Sequence, residues 1–187
     1  MNFVQPIRNV EKVREVRAIL LRKSTRNELL FSFGIYTGLR ISDILQFKVK
    51  DVRGRSVLNV REQKTRNTRK INKTKRIPVL PELRKVIDSY VKELPDDEYL
   101  FKSRQGRNSP ITRVQAYNIL REAAHTAGLQ EIGTHTLRKT FGYHIYQATK
   151  DVALLQDIFG HSSQYITMKY IGVNQDAIEA AYRKLRY

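Results

Sequence analysis

The sequence predicts one domain of the α+β class, mainly α-helical with a small antiparallel β-sheet. Three observations lead to this prediction. Most segments repeat apolar residues at the spacing of three and four that is typical of helices. Two short runs, residues 56–63 and 76–80, instead have the alternation or extended character of strands. The length of 187 residues suits a single hydrophobic core.

The opening part of the chain predicts three helices. Residues 6–21 place valines at helical spacing among charged side chains, which indicates an amphipathic helix. Residues 25–36 carry an apolar face, and we expect Gly38 to end this helix because glycine adopts a left-handed backbone without penalty. A third helix is expected over residues 40–47. Arg40 would then lie at a helix start, where free N–H groups already favour an anion.

The two strand-like runs predict a β-hairpin, and the sequence also allows a third strand over residues 49–52. Between the runs, residues 64–76 carry seven positive charges in thirteen positions and only one apolar side chain. This segment cannot pack into a core. It is either a solvated basic loop, a localisation signal or a nucleic-acid-binding patch.

The second half of the chain predicts further helices. Residues 81–94 return to a helical period, and residues 113–127 form a helix capped by Thr112 and ended by Gly128. The last segment, residues 174–187, is an amphipathic tail helix. Its apolar stripe consists of Ile178, Ala181, Tyr182 and Leu185.

Polar side chains suited to anion binding are concentrated in residues 133–172. His135 and Arg138 stand three residues apart after Thr134, a candidate N-cap. On a helix they would share one face near the positive end of the helix dipole. That arrangement favours an anionic ligand.

A second helix in this stretch is predicted over residues 152–159, with Asp151 as its cap and Gly160 as its end. Its buried side chains are expected to be Val152, Leu154, Leu155 and Ile158. His161 follows directly, and Tyr170 lies nine residues further on. A hydroxyl, two imidazoles and a guanidinium within one short stretch predict a site for phosphate chemistry.

The charge of the chain points to a polyanionic partner. Thirty-five Lys and Arg against eighteen Asp and Glu give a net charge of +17, which favours nucleic acid. An anionic membrane is the rival, but no long apolar run, signal peptide or lipidation motif supports it. Cysteine is absent, which excludes a disulfide framework and a thiolate metal site and agrees with a cytoplasmic location.

Three motifs in order resemble the tyrosine recombinase (phage integrase) family. They are T-G-L-R-I-S-D at residues 37–43, then H-x-x-R at residues 135–138, then G-H followed by Tyr170 nine residues after His161. The resemblance implies that residues 1–187 form a single domain with the catalytic-domain fold of this family. It also implies that the separate amino-terminal DNA-binding domain of family members is absent from this chain.

The catalytic residues that the resemblance implies are Arg40, Lys64, His135, Arg138, His161 and Tyr170. Tyr170 would be the nucleophile, and the two arginines would neutralise the non-bridging oxygens of the phosphate, because each offers a fork of donors that cannot titrate away. Asp43, one turn after Arg40, would hold that guanidinium. Tyr165 is the alternative nucleophile, but its spacing from His161 does not match the family.

The histidines and the lysine have more open roles. His135 would accept a proton or donate a hydrogen bond, and His161 would donate to the same phosphate; a helix cap and the last helix carbonyls are their alternative, structural uses. His125 and His144 match no motif and are expected to be structural. Lys64 best matches the hairpin lysine that protonates the leaving 5′ oxygen in the family. Weaker candidates for that lysine are Lys70, Lys73 and Lys75.

The resemblance implies a site-specific recombinase or integrase that acts on double-stranded DNA through a 3′-phosphotyrosyl intermediate, with no cofactor and no metal. Lys139 and the sequence Y-I-G after the nucleophile favour a mobile-element enzyme. We expect a monomer without DNA and a homo-oligomer on it, in which the tail stripe either docks on a neighbouring subunit or folds back. The alternatives are a topoisomerase of type IB and a DNA-binding module without catalysis.

Overall fold

The computed structural model describes residues 4–61 and 74–185, and over these residues the chain is mostly helical with one two-stranded antiparallel sheet. This confirms the predicted fold class. In this described part of the chain, no helix combines the length and the apolar surface needed to cross a bilayer. The elements are α1 (Val10–Lys23), α2 (Thr25–Thr37), α3 (Ile41–Ile44), β1 (Val57–Val60), β2 (Lys75–Pro78), α4 (Pro81–Val91), α5 (Arg113–Thr126), α6 (Thr134–Thr149), α7 (Val152–Phe159), α8 (Gln164–Ile171) and α9 (Val173–Tyr182).

The predicted hairpin is present as strands β1 and β2, which pair with Val57 opposite Pro78 and Val60 opposite Lys75. The prediction of a third strand over residues 49–52 is wrong. Val49–Asp51 forms a short 3-10 helix instead. Val49 and Val52 are both fully buried and stand three residues apart, which suits one tight helical turn better than the alternating faces of a strand.

The end of one helix and the cap of another differ from the prediction. A helix over residues 40–47 was expected, but helix α3 has only four residues. It ends early because the chain turns at Leu45 and buries Phe47 against Phe33, with ring centroids 5.0 Å apart. Helix α6 is capped at Gly133 rather than at Thr134. The main-chain N–H of Gly133 donates to the buried hydroxyl of Thr136 over 3.1 Å, so a different threonine supplies the capping contact.

Helix α2 lies at the centre of the core, with most of its side chains buried, and it packs against α1, α4 and α6. Helix α6 approaches it closely at Gly34. A Cβ atom at that glycine would lie 2.4 Å from the side chain of Leu137, so only glycine fits there. This close packing places Arg138 beside the end of α2.

A smaller apolar cluster holds α7 and α8 against α6. It is built around Leu155, Phe159 and Ile171, which are all fully buried. A Cβ atom at Gly142 of α6 would lie 2.6 Å from Phe159 and 2.7 Å from Ile171. The prediction that Leu154 is buried was wrong: its side chain is 44% exposed, because the two-turn helix α7 buries one narrow strip.

Candidate active site

Three segments meet to form the candidate site. They are the start of α3 with Arg40, the first turn of α6 with His135 and Arg138, and the segment from His161 to Tyr170 in α8. The charges of Arg40 and Arg138 act on both His135 and Tyr170, and the centre of the His161 ring lies 5.1 Å from that of the Tyr170 ring. The sixth residue expected at this site, Lys64, lies outside the described residues, as do Lys70 and Lys73.

Arg138 connects the other segments of the site. Its side chain is buried, and its guanidinium donates to the carbonyl of Gly38 over 2.6 Å and to the carbonyl of Phe159 over 3.0 Å. The guanidinium carbon also lies 4.4 Å from the centre of the Phe159 ring. A side-chain hydrogen bond joins Arg138 to Tyr170. The Arg138 side chain therefore holds three parts of the site in place: the segment that leads to Arg40, the end of α7 and the hydroxyl of Tyr170.

Arg40 is the N-cap residue of α3, and its side chain is half-buried. Its carbonyl accepts from the N–H groups of Asp43 and Ile44 over 2.9 and 3.0 Å, which fixes the backbone at this point. Its positive charge acts on both Tyr170 and His135. Asp43 is buried in the same turn, as expected for a carboxylate that supports an arginine.

Tyr170 is half-buried, with its ring centroid 5.1 Å from the His161 ring and 5.5 Å from the Phe159 ring. Burial raises the pKa of its hydroxyl, while the charges of Arg138 and Arg40 and a hydrogen bond from Arg138 act in the opposite direction. The phenol is therefore neutral at neutral pH but lies where a negative charge would be stabilised. Tyr165, by contrast, is 66% exposed.

His161 is held in one orientation by a threonine that the sequence did not single out. Its Nδ1 lies 3.0 Å from Oγ1 of Thr167, and that hydroxyl donates to the carbonyl of Ser163 over 3.1 Å. The hydroxyl oxygen is then placed to accept from Nδ1–H, which fixes the orientation of the ring. At the end of α7, His161 contributes its main-chain N–H, which donates to the carbonyl of Gln156 over 3.1 Å.

His135 stands on the first turn of α6 with its ring exposed to solvent. Partial desolvation and the charges of Lys139, Arg138 and Arg40 lower its pKa. The imidazole is therefore neutral at neutral pH and able to accept a proton. The other histidine of α6, His144, bonds to the carbonyl of Ile7 over 3.0 Å, a structural contact as expected.

Lys75 of β2 also contributes to the site. Its Nζ donates to the carbonyl of Ile158 over 2.8 Å, one residue before the carbonyl that Arg138 binds. Two cations thus hold consecutive carbonyls at the negative end of α7, immediately before His161. The contact joins residues 83 positions apart, and no local pattern in the sequence indicates it.

The arrangement suits attack by a phenol on a phosphodiester. The charges of two guanidiniums act on the hydroxyl, a neutral imidazole stands beside them, and the ring of a second imidazole packs against the phenol ring. Over residues 4–61 and 74–185, no three His, Cys, Asp or Glu side chains are grouped so that they could hold a metal ion.

Comparison with known proteins identifies relatives over nearly the whole chain. The model of the phage integrase family matches residues 10–176. A probable integrase/recombinase, YoeC of Bacillus subtilis (strain 168), is 54% identical over 183 residues, which are 98% of this chain and 97% of that protein. Tyrosine recombinase XerA of Pyrococcus furiosus is 28% identical over 178 residues, 91% of this chain and 60% of that protein.

A solved structure has the same fold. The crystal structure of XerH site-specific recombinase bound to palindromic difH substrate, a post-cleavage complex, superposes with a TM-score of 0.68 at 21% identity. The match covers 98% of this chain and 54% of the XerH chain. The chain therefore spans little more than half the length of XerH and of XerA, but almost all of the Bacillus protein.

Proposed function

The chain belongs to the phage integrase family of tyrosine recombinases, and we propose that it cleaves and rejoins double-stranded DNA at a specific site through a 3′-phosphotyrosyl intermediate. The observation that carries the proposal is the position of Tyr170. Its hydroxyl is hydrogen-bonded to Arg138 and lies within the field of Arg40, nine residues after His161. A buried tyrosine used only for packing does not need two guanidiniums around its hydroxyl.

The chemistry begins with the attack of Tyr170 Oη on the scissile phosphorus. The P–O bond to the tyrosine forms, and the bond from phosphorus to the 5′ oxygen breaks. The phenolic proton passes to the neutral imidazole of His135, directly or through one water. Arg40 and Arg138 stabilise the charge that develops on the two non-bridging oxygens. Lys64 is assigned, through the family resemblance, to give the leaving 5′ oxygen its proton.

Rejoining is the reverse reaction. The 5′ hydroxyl of a second strand gives its proton to Lys64 and attacks the phosphotyrosyl link. The bond from phosphorus to Tyr170 breaks, and His135 returns its proton to the phenolate. The number of phosphoester bonds is unchanged throughout, so neither nucleotide hydrolysis nor a cofactor is needed. The groups that neutralise charge in this scheme are the side chains themselves, so no metal is required.

His161 has a defined role in this scheme. Because Nδ1–H is committed to Thr167, Nε2 carries a proton only when the ring is an imidazolium. A bound phosphate favours that form, since the opposite charge of the phosphate stabilises the protonated ring. His161 would therefore donate to a phosphate oxygen through Nε2 once DNA is bound.

The partner is double-stranded DNA. A charge of +17 on 187 residues supports phosphate binding, and the XerH structure of the same fold is a complex with its DNA substrate. The same charge keeps copies apart without DNA, so we propose a monomer that forms homo-oligomers on DNA. A mobile element is the proposed context, as the sequence around Arg138 and Tyr170 indicates.

The tail supports assembly on DNA. The three large apolar side chains of the stripe remain exposed: Ile178 by 51%, Tyr182 by 71% and Leu185 by 57%. The described residues of α9 include no buried side chain, so the stripe does not fold back into the core of its own domain. We propose that it docks on a neighbouring subunit of the complex.

The test is covalent capture on DNA. A pool of nicked duplexes with randomised sequence around the nick would be incubated with the protein and examined for a protein-DNA adduct that resists denaturant. The wild type and Tyr165→Phe should form the adduct in excess EDTA, and Tyr170→Phe should bind DNA without forming it. No adduct from the wild type would favour a DNA-binding module, and relaxation of supercoils without site preference would favour a topoisomerase.

A further inference from the structure

Residues 4–8, which we call the strap, precede α1 and run along the helix that carries His135 and Arg138. The N–H of Ile7 donates to Oγ1 of Thr140 over 2.9 Å, and the carbonyl of Ile7 accepts from the His144 ring. Pro6 and Ile7 are buried. The strap is therefore anchored on α6 and is part of the folded domain.

The strap also passes directly over the end of the nucleophile helix. Gly172, two residues after Tyr170, caps α8 with a φ of +83°. A Cβ atom at that position would lie 3.2 Å from Nη2 of Arg8 and 3.4 Å from Cδ of Pro6. Glycine is favoured here by its left-handed backbone conformation, and the strap lies in direct contact with it.

Beyond Gly172 the contact becomes an ion pair. Nε of Arg8 donates to Oδ1 of Asp176 over 2.7 Å, and the two side chains are 33% and 30% exposed. The guanidinium of Arg8 lies 5.6 Å from the ring centre of Tyr143 on α6. Asp176 also interacts with Tyr143: burial first, and then the charge of that carboxylate and a hydrogen bond to it, raise the pKa of the tyrosine. Asp176, in the first turn of α9, is therefore held from two sides.

A second contact links the strap to the nucleophile itself. Nζ of Lys139 donates to the carbonyl of Val4 over 2.6 Å and lies 5.4 Å from the centre of the Tyr170 ring. The strap thus contacts the face of the nucleophile ring through Lys139 and the end of its helix through Arg8. Helix α8 also packs on α6 and α7 through the small cluster around Phe159.

We propose that Arg8 and Asp176 form a clasp that positions Tyr170 for attack. The clasp ties α9 to the strap and so fixes Gly172, the hinge between the nucleophile helix and the tail. Neither side chain touches the reacting atoms, so both are positioning residues. This inference rests on the proposed function of Tyr170. It adds that the placement of the nucleophile depends on a contact between the two ends of the domain.

A double-mutant cycle tests the clasp. The variants are Arg8→Met, Asp176→Asn and the two combined, with Arg14→Met and Glu179→Gln as matched controls. Arg14 and Glu179 form exposed ion pairs with Glu11 and Arg183, so the controls change the charge equally and leave the clasp intact. The readouts are the rate of adduct formation on nicked duplexes captured by the wild type, the DNA dissociation constant, and amide hydrogen exchange over α8.

Each clasp variant should slow adduct formation about three- to tenfold relative to its control, at an unchanged dissociation constant. The double variant should be no slower than either single one, and exchange over α8 should be faster in all three. Rates equal to those of the controls, or additive losses, would overturn the clasp. If the wild type itself forms no adduct, the proposed function is rejected instead.

Discussion

Nη2 of Arg138 donates a 3.0 Å hydrogen bond to the carbonyl of Phe159, two residues before His161. The same guanidinium binds the carbonyl of Gly38, two residues before Arg40. Arg138 therefore sets the distance between the first arginine and the histidine-tyrosine segment, in addition to its proposed contact with phosphate. A buried arginine that holds two carbonyls should affect both stability and catalysis when it is changed.

Lysine should not substitute for either Arg40 or Arg138 in the proposed reaction. Arg138→Lys and Arg40→Lys should each slow adduct formation about a hundredfold or more, because a point charge cannot stabilise two phosphate oxygens as the guanidinium fork does. Arg138→Lys should also lower the free energy of unfolding, by about 1–3 kcal/mol, because a buried carbonyl loses its donor. Thermal unfolding and adduct kinetics measure the two effects. A rate within about twofold of wild type for Arg138→Lys would remove that residue from the site.

The orientation of His161 should depend on Thr167. Thr167→Val keeps the shape of the buried side chain but removes the hydroxyl that accepts from Nδ1–H. We expect adduct formation to slow about tenfold at an unchanged affinity for DNA, since partners that orient a functional histidine contribute at this level. Thr167→Ser, which keeps the hydroxyl, is the matched control. Nitrogen chemical shifts of His161 should show a mixture of tautomers only in the valine variant; a single tautomer there would contradict the assignment.

Lys75 is expected to act through position rather than through proton transfer. Lys75→Met removes the contact with Ile158 and should slow adduct formation, whereas Arg76→Met removes an exposed charge on the same strand and should only weaken binding to DNA. A substrate with sulfur in place of the 5′ bridging oxygen separates the two roles, because a thiolate leaves without a proton. That substrate should rescue Lys64→Met and should not rescue Lys75→Met. Rescue of Lys75→Met would instead make it the general acid.

The sequence predicted the elements best where the signals were local. Helix α7 has the predicted bounds, with Asp151 as its cap and Gly160 in the left-handed conformation, because a cap, an apolar strip and a glycine act within a few residues. The wrong third strand and the misplaced Thr134 cap show the limit of such signals. Val49 and Thr136 are placed by contacts made on folding, and a short pattern fits more than one local structure.

The sequence predicted which residues meet at the candidate site, but it did not predict the contacts between them. The motifs placed Arg40, His135, Arg138, His161 and Tyr170 in one site through a family resemblance, and the structure brings those five together. The bond from Arg138 to Gly38 spans 100 residues, and the contact of Arg8 with Asp176 spans 168. Contacts of this kind depend on the packing of α6 against α2 and of α9 beside the strap, which no local pattern encodes.

The lowered pKa of His135 predicts the acid limb of the pH profile. Desolvation comes first among its causes, followed by the charge of Lys139, and the imidazole should titrate below its ordinary value of 6.5. The rate of adduct formation should therefore stay constant as the pH falls to 6.5. It should decline only below 6.5, when the ring can no longer accept a proton. An NMR titration of His135 measures the midpoint, which Lys139→Gln should move upward. A midpoint above 6.5 in the free protein would contradict the assignment.

The exposed stripe of α9 should be needed for assembly but not for cleavage. Ile178→Ser combined with Tyr182→Ser leaves Asp176 in place, so single protein molecules should form the adduct on a half-site at the wild-type rate. Burial of each such side chain contributes about 1.5–3 kcal/mol, so multimeric complexes on the full site should weaken more than tenfold. Val114 and Leu154, which are 67% and 44% exposed, provide the matched control when both are changed to Ser. Native gels with full and half sites taken from the captured pool measure both effects. The docking proposal fails if the α9 variant assembles like its parent. It also fails if the control loses assembly to the same extent, because the loss would then follow from apolar surface in general and not from the tail.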